Sequence, residues 1–300
     1  MKVGKKGGMG LRRPKETLIR YFLFGCAATS IIILLLIVVF LFREGLPLFQ
    51  EYGLGEFIGG RYWYPTAEPP DFGILPLFLG SLWVTFGALL IAVPFGVGAA
   101  IYIAEVAPPQ VCDLLKSLAE LLAGIPSVVY GFFALVLVVP WVKDFFDLPI
   151  GKTALAASMI LGVMALPTII SIAEDALTAV PKSFCEASLA LGATKWQTIR
   201  RVTVPAALSG ISTAVILGAG RAVGETMTVL MVSGMSPIIP RTLLQPVRPM
   251  TATIAAEIGE AVWGGVHYHA LFAIGIVLFL FSFAINLIAD WISQRYREVE

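Results

Sequence analysis

The sequence predicts an all-α integral membrane protein with six transmembrane helices, and two observations carry that expectation. Of its 300 residues, 58% are hydrophobic and 14% are charged, against about 25% charged in soluble domains. The apolar residues fall into runs at about 21–42, 77–104, 118–142, 153–174, 205–234 and 270–292. Each is long enough to cross ~30 Å of hydrocarbon as a helix.

The first run follows a basic tail, residues 1–20, that holds Lys2, Lys5, Lys6, Arg12, Arg13, Lys15 and Arg20. Residues 21–42 are too long for a signal-peptide core, and no small-residue cleavage site follows them. They read as an uncleaved anchor. Lys and Arg then fix the orientation. With the N-terminus in the cytoplasm, the inner pieces (1–20, 105–117, 175–204, 293–300) carry fourteen of them and the outer pieces six, leaving Arg221 within a span. The positive-inside bias places both termini in the cytoplasm. A net charge of +1 gives no global field to attract nucleic acid, and Cys26, Cys112 and Cys185 are too scattered to imply a disulfide framework.

Between the first and second spans lies an outer loop, 43–76, with the aromatic group Arg61-Tyr-Trp-Tyr-Pro65. Such a group suits a membrane-interface belt, or contact with a partner. The core from 77 to 292 carries breakers inside its apolar runs: Pro94 near Gly96 and Gly98, Pro126 after Gly124, and Pro167. Each proline frees a carbonyl that a neighbouring helix or water must satisfy, so these helices are expected to bundle. The outer segment 235–269 contains Thr251–Val262, which reads as a short helix at or dipping into the outer surface. His267 and His269 lack the companions that a metal site needs, so no metal is expected.

The cytoplasmic stretch 181–205 is the most informative soluble segment. Ser183 with Glu186, and Thr194 with Gln197, each have capping-box spacing. Gly192 suits the left-handed residue that ends a helix. The expectation is a rigid helix–glycine–helix elbow, with small residues Ala187, Ser188 and Ala190 available for docking.

Glu186-Ala187-Ser188, three residues, Gly192, nine residues, Val202, one residue, Val204-Pro205 resembles the coupling loop of ABC importer permeases. That family's pattern is Glu-Ala-Ala-x3-Gly-x9-Ile-x-Leu-Pro, so Ser188, Val202 and Val204 are conservative departures. Ala123-Gly-Ile-Pro-Ser-Val-Val-Tyr-Gly131, Arg221-Ala-Val-Gly-Glu-Thr226 and Thr251-Ala-Thr-Ile-Ala-Ala-Glu257 are similar to phosphate-specific permeases. Glu225–Met231 and His267–Phe272 look more PstC-type than PstA-type. The resemblance covers about residues 40–292. It implies the MetI-like fold of type I ABC importers. It also implies docking of an ATPase through Glu186, Ala187, Ser188 and Gly192.

The apolar fifth run carries Arg221 and Glu225, four residues apart. If the run is one continuous helix, Gly218, Arg221, Glu225 and Thr228 share a face. An unpaired charge at bilayer centre costs roughly 2.5–3.5 kcal/mol on insertion scales, so the stripe must face protein or water. Two readings stay open: an ion pair that only holds helices in register, or a substrate path. In the second, Arg221 offers a planar fork of donors to phosphate oxygens, Glu225 holds the guanidinium between anions, and Thr226 and Thr228 add hydroxyls.

The expected function is therefore the permease half of an ATP-driven importer of inorganic phosphate. The chain has no G-x-x-x-x-G-K-[ST] sequence, so it is expected to be no enzyme and to hold no cofactor. ATP and Mg belong to a separate ATPase dimer of PstB type. A PstA-type permease and an extracytoplasmic phosphate-binding protein are the other expected partners, in a bacterial inner membrane. The alternatives are a PstA-type half, a permease for molybdate or sulfate, or a secondary transporter that needs no ATP. A membrane enzyme would need catalytic residues at membrane depth, and the sequence offers none.

Overall fold

The computed structural model describes the backbone of residues 12–297 and the side chains of 17–288, 290 and 291. Among the described residues, five helices are long and apolar enough to cross a membrane. A sixth crossing arises if the pair Lys195–Ala206 and Leu208–Gly224, bent by 69°, is one span.

Helix α1 (Arg12–Gly45) is apolar on all sides over Tyr21–Phe42 and exposes most of that stretch, as expected of a helix facing lipid. Its C-terminal end packs on the final helix. Leu41 and Phe40 meet Gly275 and Phe272, and a Cβ on Gly45 would lie 2.6 Å from Ile276.

The outer loop folds instead of lying open. It contains α2 (Leu48–Glu51), α3 (Leu54–Gly59) and a two-stranded antiparallel ribbon, β1 (Trp63–Tyr64) with β2 (Asp71–Phe72), in which Trp63 pairs with Phe72. Gly60 and Gly73 allow the ribbon base to close, since a Cβ on Gly73 would meet the Gly60 carbonyl carbon at 2.3 Å. Leu48, Phe57, Trp63 and Phe72 are buried with Leu271 and Ile274 of the final helix. Trp63 is therefore a core residue and not part of an interface belt. Tyr62 and Tyr64 remain exposed, stacked on each other.

Helix α4 (Leu75–Ile101) passes Pro94 without stopping and ends in a π-turn, Tyr102–Val106. It forms the central pair with α8 (Ala154–Thr178). Small residues make that approach possible. A Cβ on Gly87 would meet Ser158 Oγ at 2.4 Å, and one on Gly96 would meet Ile169 at 2.8 Å. Ser158 also donates to the Val84 carbonyl at 3.1 Å.

The run 118–142 is divided. Helix α5 (Pro109–Gly124) has no buried residue and ends before the extended Ile125 and Pro126. The crossing is Ser127–Phe145, built from α6 (Ser127–Phe133), a π-turn (Ala134–Val138) and α7 (Val139–Phe145). Pro126 disfavours helical geometry at Ile125, so it starts the span instead of kinking its middle.

After α8 come the short helices α9 (Lys182–Ala190), α10 (Lys195–Thr198) and α11 (Val204–Ala206), the last two joined by a π-turn at Ile199–Thr203. The expected single span 205–234 is also broken. Helix α12 (Leu208–Gly224) stops at Glu225, which is extended at φ −70°, ψ 131°, and α13 (Met227–Val232) restarts after Thr226. Helix α14 (Met250–Glu257) sits against α13, α4 and the final helix α15 (Val266–Arg297). The largest core lies where α4, α6, α8, α12 and α13 meet.

Candidate functional site

The break at Glu225 removes the helical stripe expected of Gly218, Arg221, Glu225 and Thr228. Gly218 faces α8, where an added Cβ would lie 2.6 Å from Ile169. Arg221 occupies the last turn of α12 and is exposed. There it meets the partial negative charge of the terminal carbonyls. Glu225 lies just past the helix, and its Oε1 accepts the Thr228 amide at 3.3 Å, so the carboxylate caps α13. The two charges form no ion pair with each other. Each is instead compensated by a helix end of opposite polarity. A helix broken at this point holds both a cation and an anion at membrane depth without either cancelling the other.

Arg221 Nη1 reaches the Thr168 hydroxyl of α8 at 3.4 Å. Thr168 follows Pro167 and lines a cavity of about 430 Å³ between α5 and α8, which Ser171 and Lys116 also line. The guanidinium is thus tied to the wall of a partly polar cavity through Thr168, with most of its donors uncommitted. Among the residues expected to form the path, Thr226 stays partly exposed and donates to the Gly224 carbonyl at 3.3 Å. Thr228 is fully buried, and its hydroxyl is committed to the Ser127 carbonyl at 2.8 Å. It joins the starts of α6 and α13 and stands behind the site. Thr251 of α14 supports the break from the other side by donating to the Glu225 carbonyl at 2.8 Å. Thr168 and Thr251 were missed from sequence, because hydroxyls in apolar runs carry no spacing signal.

The elbow forms, with one difference. Thr194 and Gln197 make the reciprocal capping box, with bonds of 3.3 and 2.9 Å. Gly192 takes φ +83°, its amide bonds Leu189 O, and Ala193 bonds Ser188 O, which is a Schellman ending. The Ser183–Glu186 box does not form. Helix α9 starts at Lys182 with Pro181 at its cap, so Ser183 already lies inside the helix. Glu186, Ala187 and Gly192 are exposed, while Ser188 is half-buried and bonded to Thr198 at 3.0 Å, which fixes the angle between α9 and α10. Phe184, Leu191 and Trp196 present apolar surface beside them.

Two further charged groups were not anticipated. Glu174, buried in α8, pairs with Lys116 of α5 at 3.0 Å. An acid ending an apolar run was the available signal. At the opposite end of the bundle, Glu257 accepts from Trp63 Nε1 at 3.1 Å on both oxygens, pairs with Arg248, and meets His267 Nε2 at 2.8 Å. His269 is taken up separately, through Nδ1, by the Glu44 carbonyl at 2.7 Å.

Comparison with known proteins places this arrangement. Residues 92–298 match the family described as binding-protein-dependent transport system inner membrane component. The chain is 40% identical, over 95% of its length and 93% of the relative's, to the probable ABC transporter permease protein YqgH of Bacillus subtilis. It is 34% identical, over 90% and 88%, to the phosphate transport system permease protein PstC of Mesorhizobium japonicum. Among solved structures, it aligns with a chain of a bacterial alginate ABC transporter at TM-score 0.63 and 17% identity, over 94% and 96%. A chain of the inward-facing MetNI methionine transporter aligns at TM-score 0.56 and 22% identity, over 72% and 93%. These establish the helical fold of ABC importer permeases. The chain therefore belongs to the family of inner-membrane permease components of binding-protein-dependent ABC importers, as a multi-pass membrane protein of the PstC type.

Proposed function

We propose that this permease admits inorganic phosphate, with Arg221 at the end of α12 as the group that the anion meets. The observation that carries the reading is the exposed guanidinium at the end of α12, bonded to Thr168, which lines the cavity between α5 and α8. Arginine stays charged and offers paired donors that match phosphate oxygens. Glu225 and Thr226 line the same break, and the carboxylate opposes tight retention of an anion. The names of the PstC relatives support phosphate over other oxyanions.

Energy would come from a PstB-type ATPase dimer that carries ATP and Mg and docks on the exposed elbow at Glu186, Ala187 and Gly192. A PstA-type permease would complete the pore, and a phosphate-binding protein would deliver substrate to the outer loops. The cytoplasmic placement of both termini follows from the positive-inside bias. The test is uptake of labelled phosphate by cells dependent on this transporter, with sulfate and molybdate as competitors. Arg221→Gln at wild-type membrane abundance should abolish uptake. Unchanged uptake, or stronger competition by molybdate than by unlabelled phosphate, would overturn the reading.

A further inference from the structure

Glu174 lies one turn before the end of α8 and is 7% exposed. Its Oε1 accepts the Thr178 hydroxyl at 2.8 Å, and its Oε2 lies 3.0 Å from Lys116 Nζ. This is a costly place for a carboxylate. It loses water, and it faces the negative end of its own helix. An apolar side chain of similar size would hold two helices together as well or better. What an ion pair adds over apolar contact is register: it has one low-energy alignment, whereas apolar faces slide.

The elements on either side make that register matter. Helix α5 buries no residue of its own, and extended, proline-marked joints bound it at Ala107–Pro108 and Ile125–Pro126. It is a rod hinged at both ends, and the pair ties it to α8. Beyond Thr178, α8 runs through Ala179–Pro181 directly into α9 of the elbow. The pair also lines the 430 Å³ cavity that has Thr168, the Arg221 partner, in its wall.

We infer that Lys116 and Glu174 are a positioning pair that carries displacement of the elbow into α5 and so sets the width of the cavity beside Arg221. The inference rests on the reading that an ATPase acts at the elbow, and it does not depend on which anion is moved.

The test uses the full transporter complex in proteoliposomes. Cys26, Cys112 and Cys185 are replaced, and Ala119→Cys on α5 with Ile170→Cys on α8 are joined across the cavity by a short bifunctional maleimide. Cross-linking is compared between nucleotide-free and nucleotide-trapped complexes, beside anion moved per ATP hydrolysed. The expected result is a nucleotide-dependent change in cross-linking that Glu174→Gln and Lys116→Met reduce. Hydrolysis should persist, while transport per ATP falls by about two- to thirtyfold, the range over which single mutations change coupling. Lys116→Arg should retain coupling, and the exchange Lys116→Glu with Glu174→Lys should regain it. Loss of hydrolysis in step with transport, single variants that keep the change, or an exchange that regains nothing would each overturn the inference. If a single variant fails to assemble, the exchange decides. A wild-type complex that moves sulfate but not phosphate would end the phosphate reading and leave the cross-linking result standing.

Discussion

Glu225 Oε1 accepts the backbone amide of Thr228 at 3.3 Å, so the acid serves the start of α13 and leaves Arg221 free of a fixed carboxylate partner. Glu225→Ala should therefore lower stability by about 1 kcal/mol, the usual cost of losing a cap. Glu225→Gln keeps an oxygen acceptor at the same place and should stay close to wild type. Thermal unfolding of the purified permease in detergent distinguishes the two. Equal melting for Ala and wild type would mean that the cap contributes nothing.

Arg221 gives a sharper test of chemistry than of charge alone. Lysine keeps the positive charge but loses the planar fork and is more strongly hydrated. Arg221→Lys should fold normally, because the side chain is exposed and bonds only one hydroxyl. Its initial uptake rate should lie well below wild type. A Lys variant that transports at the wild-type rate would show that any cation suffices.

At the elbow, Gly192 has φ +83° and nothing within 4 Å of an added Cβ. Within this chain, backbone strain is then what substitution adds. Gly192→Ala should cost about 1–2 kcal/mol, while Gly192→Asn should cost less, because asparagine tolerates the left-handed region. The cost should appear as weaker retention of the ATPase during purification, with Ala losing more than Asn. Identical retention of all three forms would argue that the Gly192 turn does not set the docking angle.

What the sequence made legible were the features that local chemistry decides. Six apolar runs follow from composition. The Gly192 ending and the Thr194–Gln197 box follow from residues within one turn of each other. The features it concealed are decided at a distance. Gly224-Glu225-Thr226 lies in an apolar run that reads as continuous helix, yet Thr251 from α14 and Thr228 to Ser127 stabilise the break. Ser183 and Glu186 have the right spacing for a box, but the chain enters the helix two residues too early for it, with Pro181 at the cap. Arg221 stands out in its apolar run, but its relation to Glu225 was misjudged, because a spacing of four implies a shared face only while the helix lasts.

The outer side offers the last prediction. Glu257 gathers Trp63 from the first loop, Arg248 from the segment before α14, and His267 from the start of α15. The carboxylate is 7% exposed, and Trp63 is 1% exposed. Glu257→Ala strands the Arg248 guanidinium in a partly buried site, so it should destabilise by about 3–5 kcal/mol. Trp63→Phe keeps an aromatic ring edge-on to Phe72 and removes the indole donor, so about 1–3 kcal/mol is expected. Because both changes act on one junction, their combination should cost clearly less than the sum of the two. Hydrogen exchange over residues 60–73 reports where the loss occurs. Faster exchange confined to that ribbon means the loop is pinned to the bundle through Glu257, whereas unchanged exchange there would assign the stability of the junction to the apolar contacts of Leu48, Phe57 and Leu271 alone.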